Sequence, residues 1–263
     1  MTPPFEITPG PGPLVAAAVH DGHAVHPETL PHVALADGER LREEDPFTGG
    51  LTAVAPTRIV GQRSRFEVDL NRPRDKAVYR TPDDAWGLEV WRDGAPDEAV
   101  ARGLETYDAF YDAVEELLAR KVEEFGSVVV YDLHSYNHRR DGPDGPPADP
   151  DANPEVNVGT GTLDRDRWGG LVDGFMADLR DGAARAGLDG LDVRENVKFE
   201  GGEFSRWVHR TFGSAACVIA VEFKKTFMDE WTGEPDRAHL DRLHQALAAT
   251  VPGVLAARDA ATP

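Results

Sequence analysis

Two histidines close apolar runs far apart in the chain. His20 ends LVAAAVH, and His134 follows SVVVYDL. Ligands of open α/β sheets bind beyond the carboxyl ends of strands, so both imidazoles stand where a metal or a proton could be handled. Alone, His134 could simply hydrogen-bond its neighbours; the pair fits a metal site assembled from separate strands. Asp132, two residues before His134, can face the same side and orient its imidazole. His23 completes an H-x-x-H spacing with His20, whereas His26 and His32 read as surface loop residues. Zinc suits neutral imidazoles plus a carboxylate, and another divalent transition metal would serve the same chemistry. Such a site activates water and polarises a carbonyl. The water needs a base, and Glu222 is a carboxylate inside the apolar run VIAVEF. A buried carboxylate must be paired, here with Lys224 or an arginine, or it must be functional. Asn71 and Arg72, in DLNRPRD, offer an amide and a guanidinium fork suited to a carboxylate, although the tetrapeptide alone could be a surface turn before Pro73.

These residues need a scaffold, and the hydrophobic pattern supplies one. Leu14 to Val19 and Ser127 to Tyr131 read as buried strands, as does Val218 to Phe223. Thr57 to Val60 and Phe66 to Leu70 are β-compatible. Tyr107, Phe110, Tyr111, Val114, Leu117, Leu118 and Val122 recur at helical spacing, which predicts a helix ending near Phe125. Helices are also expected over Asp37 to Arg42, Asp164 to Ala186 and Asp236 to Ala257. The alternation implies one α/β domain over residues 1–263 with a mostly parallel sheet. The segment DGPDGPPADPDANP, residues 141–154, is too rich in Pro, Gly and Asp for regular structure. Flanked by chemically loaded segments, it reads as an active-site lid.

Composition narrows the partners. The net charge is −19, which argues against nucleic acid and anionic membranes, since both require a basic footprint. No apolar run reaches the roughly 20 residues of a membrane span. The N-terminus reads as a Pro-rich lead-in without the features of a secretory signal. The single cysteine, Cys217, lies among apolar neighbours and reads as inert core rather than a nucleophile. A reducing cytoplasm is the expected setting.

Taken in order, VHDGH, EEDPFT, SRFEVDLNRPRD, YDLHSY, NPEVNVGTGT, VKFEGGEFSRWVHRTFG and VIAVEFKKTFMDE resemble the motifs of the N-formylglutamate amidohydrolases. These are relatives of the zinc carboxypeptidase and aspartoacylase fold. The resemblance covers most of the chain and implies a three-layer α/β/α architecture with a mostly parallel mixed sheet. It implies hydrolysis of an N-acyl amino acid such as N-formylglutamate. His20 and His134 would be metal ligands, Glu222 the general base and proton shuttle, and Asn71 and Arg72 the carboxylate grip. Arg65 would polarise the carbonyl or bind a second carboxylate, and Gly201, Gly202 and Arg206 would line the pocket. The third metal ligand is open between Asp45 and His23. Two other readings share the scaffold: a metallo-carboxypeptidase or deacylase acting on peptides or cell-wall fragments, and a catalytically silent metal-binding homologue.

Overall fold

The apolar runs LVAAA, VVVY and ACVIAV form the middle of the sheet. The computed structural model describes residues 3–261. In chain order these hold β1 (Phe5–Thr8), β2 (Leu14–Ala18), α1 (Asp37–Glu43), α2 (Thr48–Leu51), β3 (Thr57–Gly61), α3 (Asp97–Phe125), β4 (Val128–Tyr136), β5 (Val156–Gly159), α4 (Arg165–Arg185), β6 (Val193–Glu195), α5 (Glu203–Phe212), β7 (Ala216–Lys224) and α6 (Arg237–Ala261). The seven strands make one sheet in the order β1-β3-β2-β4-β7-β5-β6. β2 and β4 pair in parallel with each other and with their outer neighbours β3 and β7. The antiparallel contacts are β1 with β3 and β5 with β7. The sheet is therefore mixed and mostly parallel.

Strand side chains alternate between faces, and here each face has its own helices. Leu14, Ala16, Val129, Tyr131 and Leu133 pack with Trp168 and Phe175 of α4 and with Leu243 and Leu247 of α6. Val15, Ala17, Val128 and Val130 pack on the other face with Phe110, Val114 and Leu118 of α3 and with Phe204 and Val208 of α5. This is a three-layer α/β/α arrangement. The period read over Tyr107 to Val122 is the buried stripe of α3. That helix stops at Gly126, whose φ of 76° closes the cap through its N–H to Val122 O. Cys217 is fully buried, and burial pushes its thiol well above the ordinary range, which makes it inert core.

Several elements differ from their sequence reading. Phe66 to Leu70 is a turn rather than a strand, because its amides bond locally: Glu67 N and Val68 N donate to Ser64 O. Its apolar residues Phe66, Val68 and Leu70 nevertheless enter the core, and Glu67 and Asp69 between them are buried as well. The Pro-rich lead-in contains the edge strand β1. Residues 141–154 form no helix or strand. The end of this segment is fastened by Arg194, whose guanidinium donates to Asp151 O at 2.8 Å, and by Lys198 Nζ, which donates to Asn153 Oδ1 at 2.6 Å. No helix among the described residues is long and apolar enough to cross a membrane.

Candidate metal centre and cavity

Parallel neighbours β2, β4 and β7 deliver three of the expected residues to one end of the sheet. His20 lies two residues beyond β2, and His134 sits within β4 in register with Glu222 of β7. Asp45 arrives from the segment after α1, docked by its N–H to His20 O at 2.9 Å. Lys225 secures that segment from below. Its ammonium is buried and donates to the carbonyls of Arg42 and Glu44, both at 2.6 Å. Burial pushes this lysine down to about 8.

His20, Asp45 and His134 converge. Asp45 Oδ2 lies 3.4 Å from His20 Nδ1 and 3.0 Å from His134 Nδ1. All three side chains are buried, and one ligand atom from each lies within 4.8 Å of the others. The opposite nitrogens are both held by carboxylates: His20 Nε2 by Asp69 Oδ1 at 2.7 Å, and His134 Nε2 by Asp132 Oδ1 at 2.8 Å. A carboxylate on Nε2 favours a proton there, and the other ring nitrogen, Nδ1, is in each case the one turned toward Asp45. The orienting carboxylates are anchored in turn. Asp69 accepts from Arg65 at 2.8 Å, from Asn71 N at 2.8 Å and from Tyr79 Oη, and Asp132 accepts from Ser205 Oγ at 2.8 Å. Two imidazoles, one carboxylate and buried carboxylates behind each ring form a donor set suited to a divalent transition metal.

The electrostatics show the same concentration of negative charge. Burial would raise the Asp45 carboxyl, but hydrogen bonds from His134 and His20 hold it well below the usual carboxylate range. Burial would lower His134, yet the charge of Asp132 and its hydrogen bond raise it well above the usual imidazole range. Glu222 goes the other way. Burial first, opposed by His134 and reinforced by Asp45 and Asp132, pushes it up to about 7. No ion pair or side-chain hydrogen bond among the described residues engages its carboxylate, so neither Lys224 nor an arginine neutralises it by direct contact.

His20, Asp45, Glu222 and His134 face a cavity of about 470 Å³. Arg65, Asn71, Arg72, Gly201, Gly202 and Arg206 line it too. His23 lies outside this group. Its Nδ1 is 2.5 Å from Glu44 Oε2, and its Nε2 is 3.0 Å from Asp37 Oδ1. Glu44 also accepts from Ser64 Oγ, so His23 braces the residue preceding Asp45. The Asn71 side chain is fixed by Phe204 N, which donates to its Oδ1 at 2.8 Å, and its Nδ2 lies 3.3 Å from His134 Nε2. A Cβ at Gly202 would stand 2.1 Å from Asn71 Nδ2 and Oδ1. Gly202→Ala is therefore expected to destabilise the protein by about 1–3 kcal/mol, the range for overpacking. Thermal denaturation checks this, and an unchanged midpoint would show that Asn71 yields freely.

Sequence reasoning missed other wall residues. Trp86, Arg140, Lys198 and Lys225 line the cavity, each from a loop or just beyond a strand, where periodicity carries no signal. Asn157 stands out in the sequence only as part of the NPEVNVGTGT motif. Its Oδ1 accepts from Val197 N at 3.0 Å and Lys198 N at 2.8 Å, while its Nδ2 donates to Phe199 O at 2.8 Å. That one amide shapes the segment leading to Gly201.

Known proteins resemble this chain in sequence and in fold. A family model described as N-formylglutamate amidohydrolase matches residues 12–228. A curated relative, the N-formylglutamate deformylase of Pseudomonas aeruginosa, is 29% identical over 204 residues, spanning 72% of this chain and 71% of that protein. The crystal structure of an N-formylglutamate amidohydrolase from Ralstonia eutropha JMP134 superposes with a TM-score of 0.73 at 19% identity, covering 97% of both chains. A gene product of Agrobacterium tumefaciens superposes with a TM-score of 0.62 at 17% identity, covering 95% of both. The two structures establish likeness of fold.

Proposed function

The chain belongs to the N-formylglutamate amidohydrolase family and is a hydrolase acting on an amide, and from that premise we propose that it deformylates an N-formyl amino acid, N-formylglutamate being the favoured substrate. The observation that carries this reading is the convergence of His20, Asp45 and His134 in one cavity with Glu222, whose carboxylate has no direct partner among the described residues. We assign a divalent metal, zinc by its donor chemistry, to the three ligands. When bound, it supplies Lewis-acid chemistry, making water nucleophilic near neutral pH and polarising a carbonyl.

The chain's own residues do the rest. Glu222 accepts a proton from the attacking water at its carboxylate and returns it to the amino nitrogen as the C–N bond breaks, leaving formate and the free amino acid. Asn71 and Arg72 hold the substrate carboxylate, Arg72 by its guanidinium fork. Arg65 lines the same cavity and adds positive charge beside the scissile carbonyl. Its own placement is secure, through Asp69, Tyr79 Oη at 3.3 Å and Glu43 O at 3.3 Å. Arg206, tied to Gly201 O at 2.8 Å, and the Gly201–Gly202 turn shape the floor. Arg140 and Lys198 add further cations to the cavity lining and are assigned to the second carboxylate of an acidic substrate. Residues 141–154, which follow Arg140, serve as the lid in this reading.

A cavity of this volume has room for an amino-acid-sized ligand. The test is formate release by the metal-loaded enzyme from N-formylglutamate and N-formylglutamine. A kcat/KM at least about tenfold higher for the acid is expected, the size of one charge-assisted hydrogen bond. Equal values would remove the acidic side chain from the specificity, and no formate from either would overturn the deformylase reading.

A further inference from the structure

Trp86 lines the cavity with half of its surface exposed and a left-handed backbone, φ 55°. A bulky residue rarely occupies that region, and its surroundings must hold it there. They do so in detail. Asp84 Oδ2 accepts from Thr81 N at 3.0 Å and Thr81 Oγ1 at 2.9 Å, closing a capping box on the short turn Pro82–Ala85. Gly87 N donates to Pro82 O at 2.7 Å, and Gly87 is itself left-handed, φ 92°. Ala85 anchors the turn in the core. The loop thus presents an indole at the cavity instead of burying it.

The indole meets two guanidinium groups. Arg65 Cζ lies 4.8 Å and Arg72 Cζ 5.7 Å from the ring centroid, and Tyr79 meets the ring edge-to-face at 5.9 Å. Both arginines are within cation–π range, but they differ in what else restrains them. Arg65 is tied by Asp69, Tyr79 and Glu43. The Arg72 side chain is 39% exposed, and its nearest carboxylate oxygen, on Asp69, is 3.8 Å away, beyond hydrogen-bond distance. Besides that long ion pair, the indole face is the contact recorded for the Arg72 guanidinium among the described residues.

We propose that Trp86 is a positioning residue that holds the Arg72 guanidinium in the cavity for the substrate carboxylate. This rests on the reading of Arg72 as the carboxylate grip. An arginine already placed loses less freedom on binding, so the effect falls on KM.

The experiment is steady-state kinetics on N-formylglutamate with metal-loaded Arg72→Ala, Trp86→Ala, Trp86→Leu, Trp86→Phe and the Arg72→Ala/Trp86→Ala double variant. Metal content and denaturation midpoint are measured alongside. Arg72→Ala is expected to raise KM about 10–100-fold. Trp86→Ala and Trp86→Leu should each raise it about fivefold with kcat within about twofold, while Trp86→Phe, which keeps an aromatic face, restores it. The double variant should be no worse than Arg72→Ala alone. Native KM in both Trp86→Ala and Trp86→Leu, or a full additional rise in the Arg72→Ala background, would overturn the proposal. A fall in kcat at native KM would do the same. Native KM in Arg72→Ala would instead overturn the carboxylate grip itself, and the role of Trp86 with it.

Discussion

Glu222→Gln is expected to bind metal as the native chain does and to lose kcat by about 10²–10⁴-fold, the range contributed by a positioned base. The substitution keeps the shape of the side chain and its place on β7 opposite His134. It removes the one thing Glu222 has to offer, an oxygen able to take a proton. The native carboxylate is suited to that task because burial pushes it up to about 7 and no cation among the described residues pairs with it directly. Only the deprotonated carboxylate accepts a proton, so activity must fall as pH falls through its pKa. A cation bound at His20, Asp45 and His134 lowers that pKa, which puts the acid limb below pH 7. Stopped or steady-state assays across pH, with metal content measured on the same samples, check both statements. Native turnover in Glu222→Gln would end its role as base, and an unchanged acid limb in the residual rate would assign that limb to another group.

The parts of this fold that could be read from sequence are those where one physical demand dominates. β2, β4 and β7 are buried on both faces, so their sequences begin as apolar runs, and the ends of those runs mark the site. The site follows from this, since His20, His134 and Glu222 are polar residues at or near the ends of those runs. Marginal elements are harder. β1 is four residues long and flanked by prolines, and β5 and β6 have four and three residues, so none offers a pattern long enough to recognise. Phe66 to Leu70 alternates apolar and acidic residues like a strand, yet all five are buried and its amides bond locally. α5, EFSRWVHRTF, is strongly amphipathic, but it follows a Gly-Gly pair that masks the helix start. Trp86, Arg140 and Lys198 reach the cavity through loops, where distance along the chain says nothing about distance in space.

Asp45→Ala is expected to weaken metal binding by more than the roughly 10–100-fold typical of removing an outer partner such as Asp69 or Asp132, and to abolish turnover at limiting metal. His23→Ala is expected to retain the metal. The contrast arises from residues three and twenty-five positions after His20, so sequence spacing favours His23 if anything. Geometry favours Asp45. Its Oδ2 is the atom both Nδ1 nitrogens face, its Oδ1 accepts from Ser135 Oγ at 3.2 Å, and its segment is pinned by His20 O and Lys225. His23 is committed to Glu44 and Asp37, and its removal loosens the brace behind Asp45. Equilibrium dialysis with zinc, read by elemental analysis, separates the two without reference to activity. Native affinity in Asp45→Ala would exclude its carboxylate as a ligand. Loss of metal in His23→Ala, with the denaturation midpoint unchanged, would mean that the Glu44 brace governs the ligand geometry as strongly as Asp45 itself.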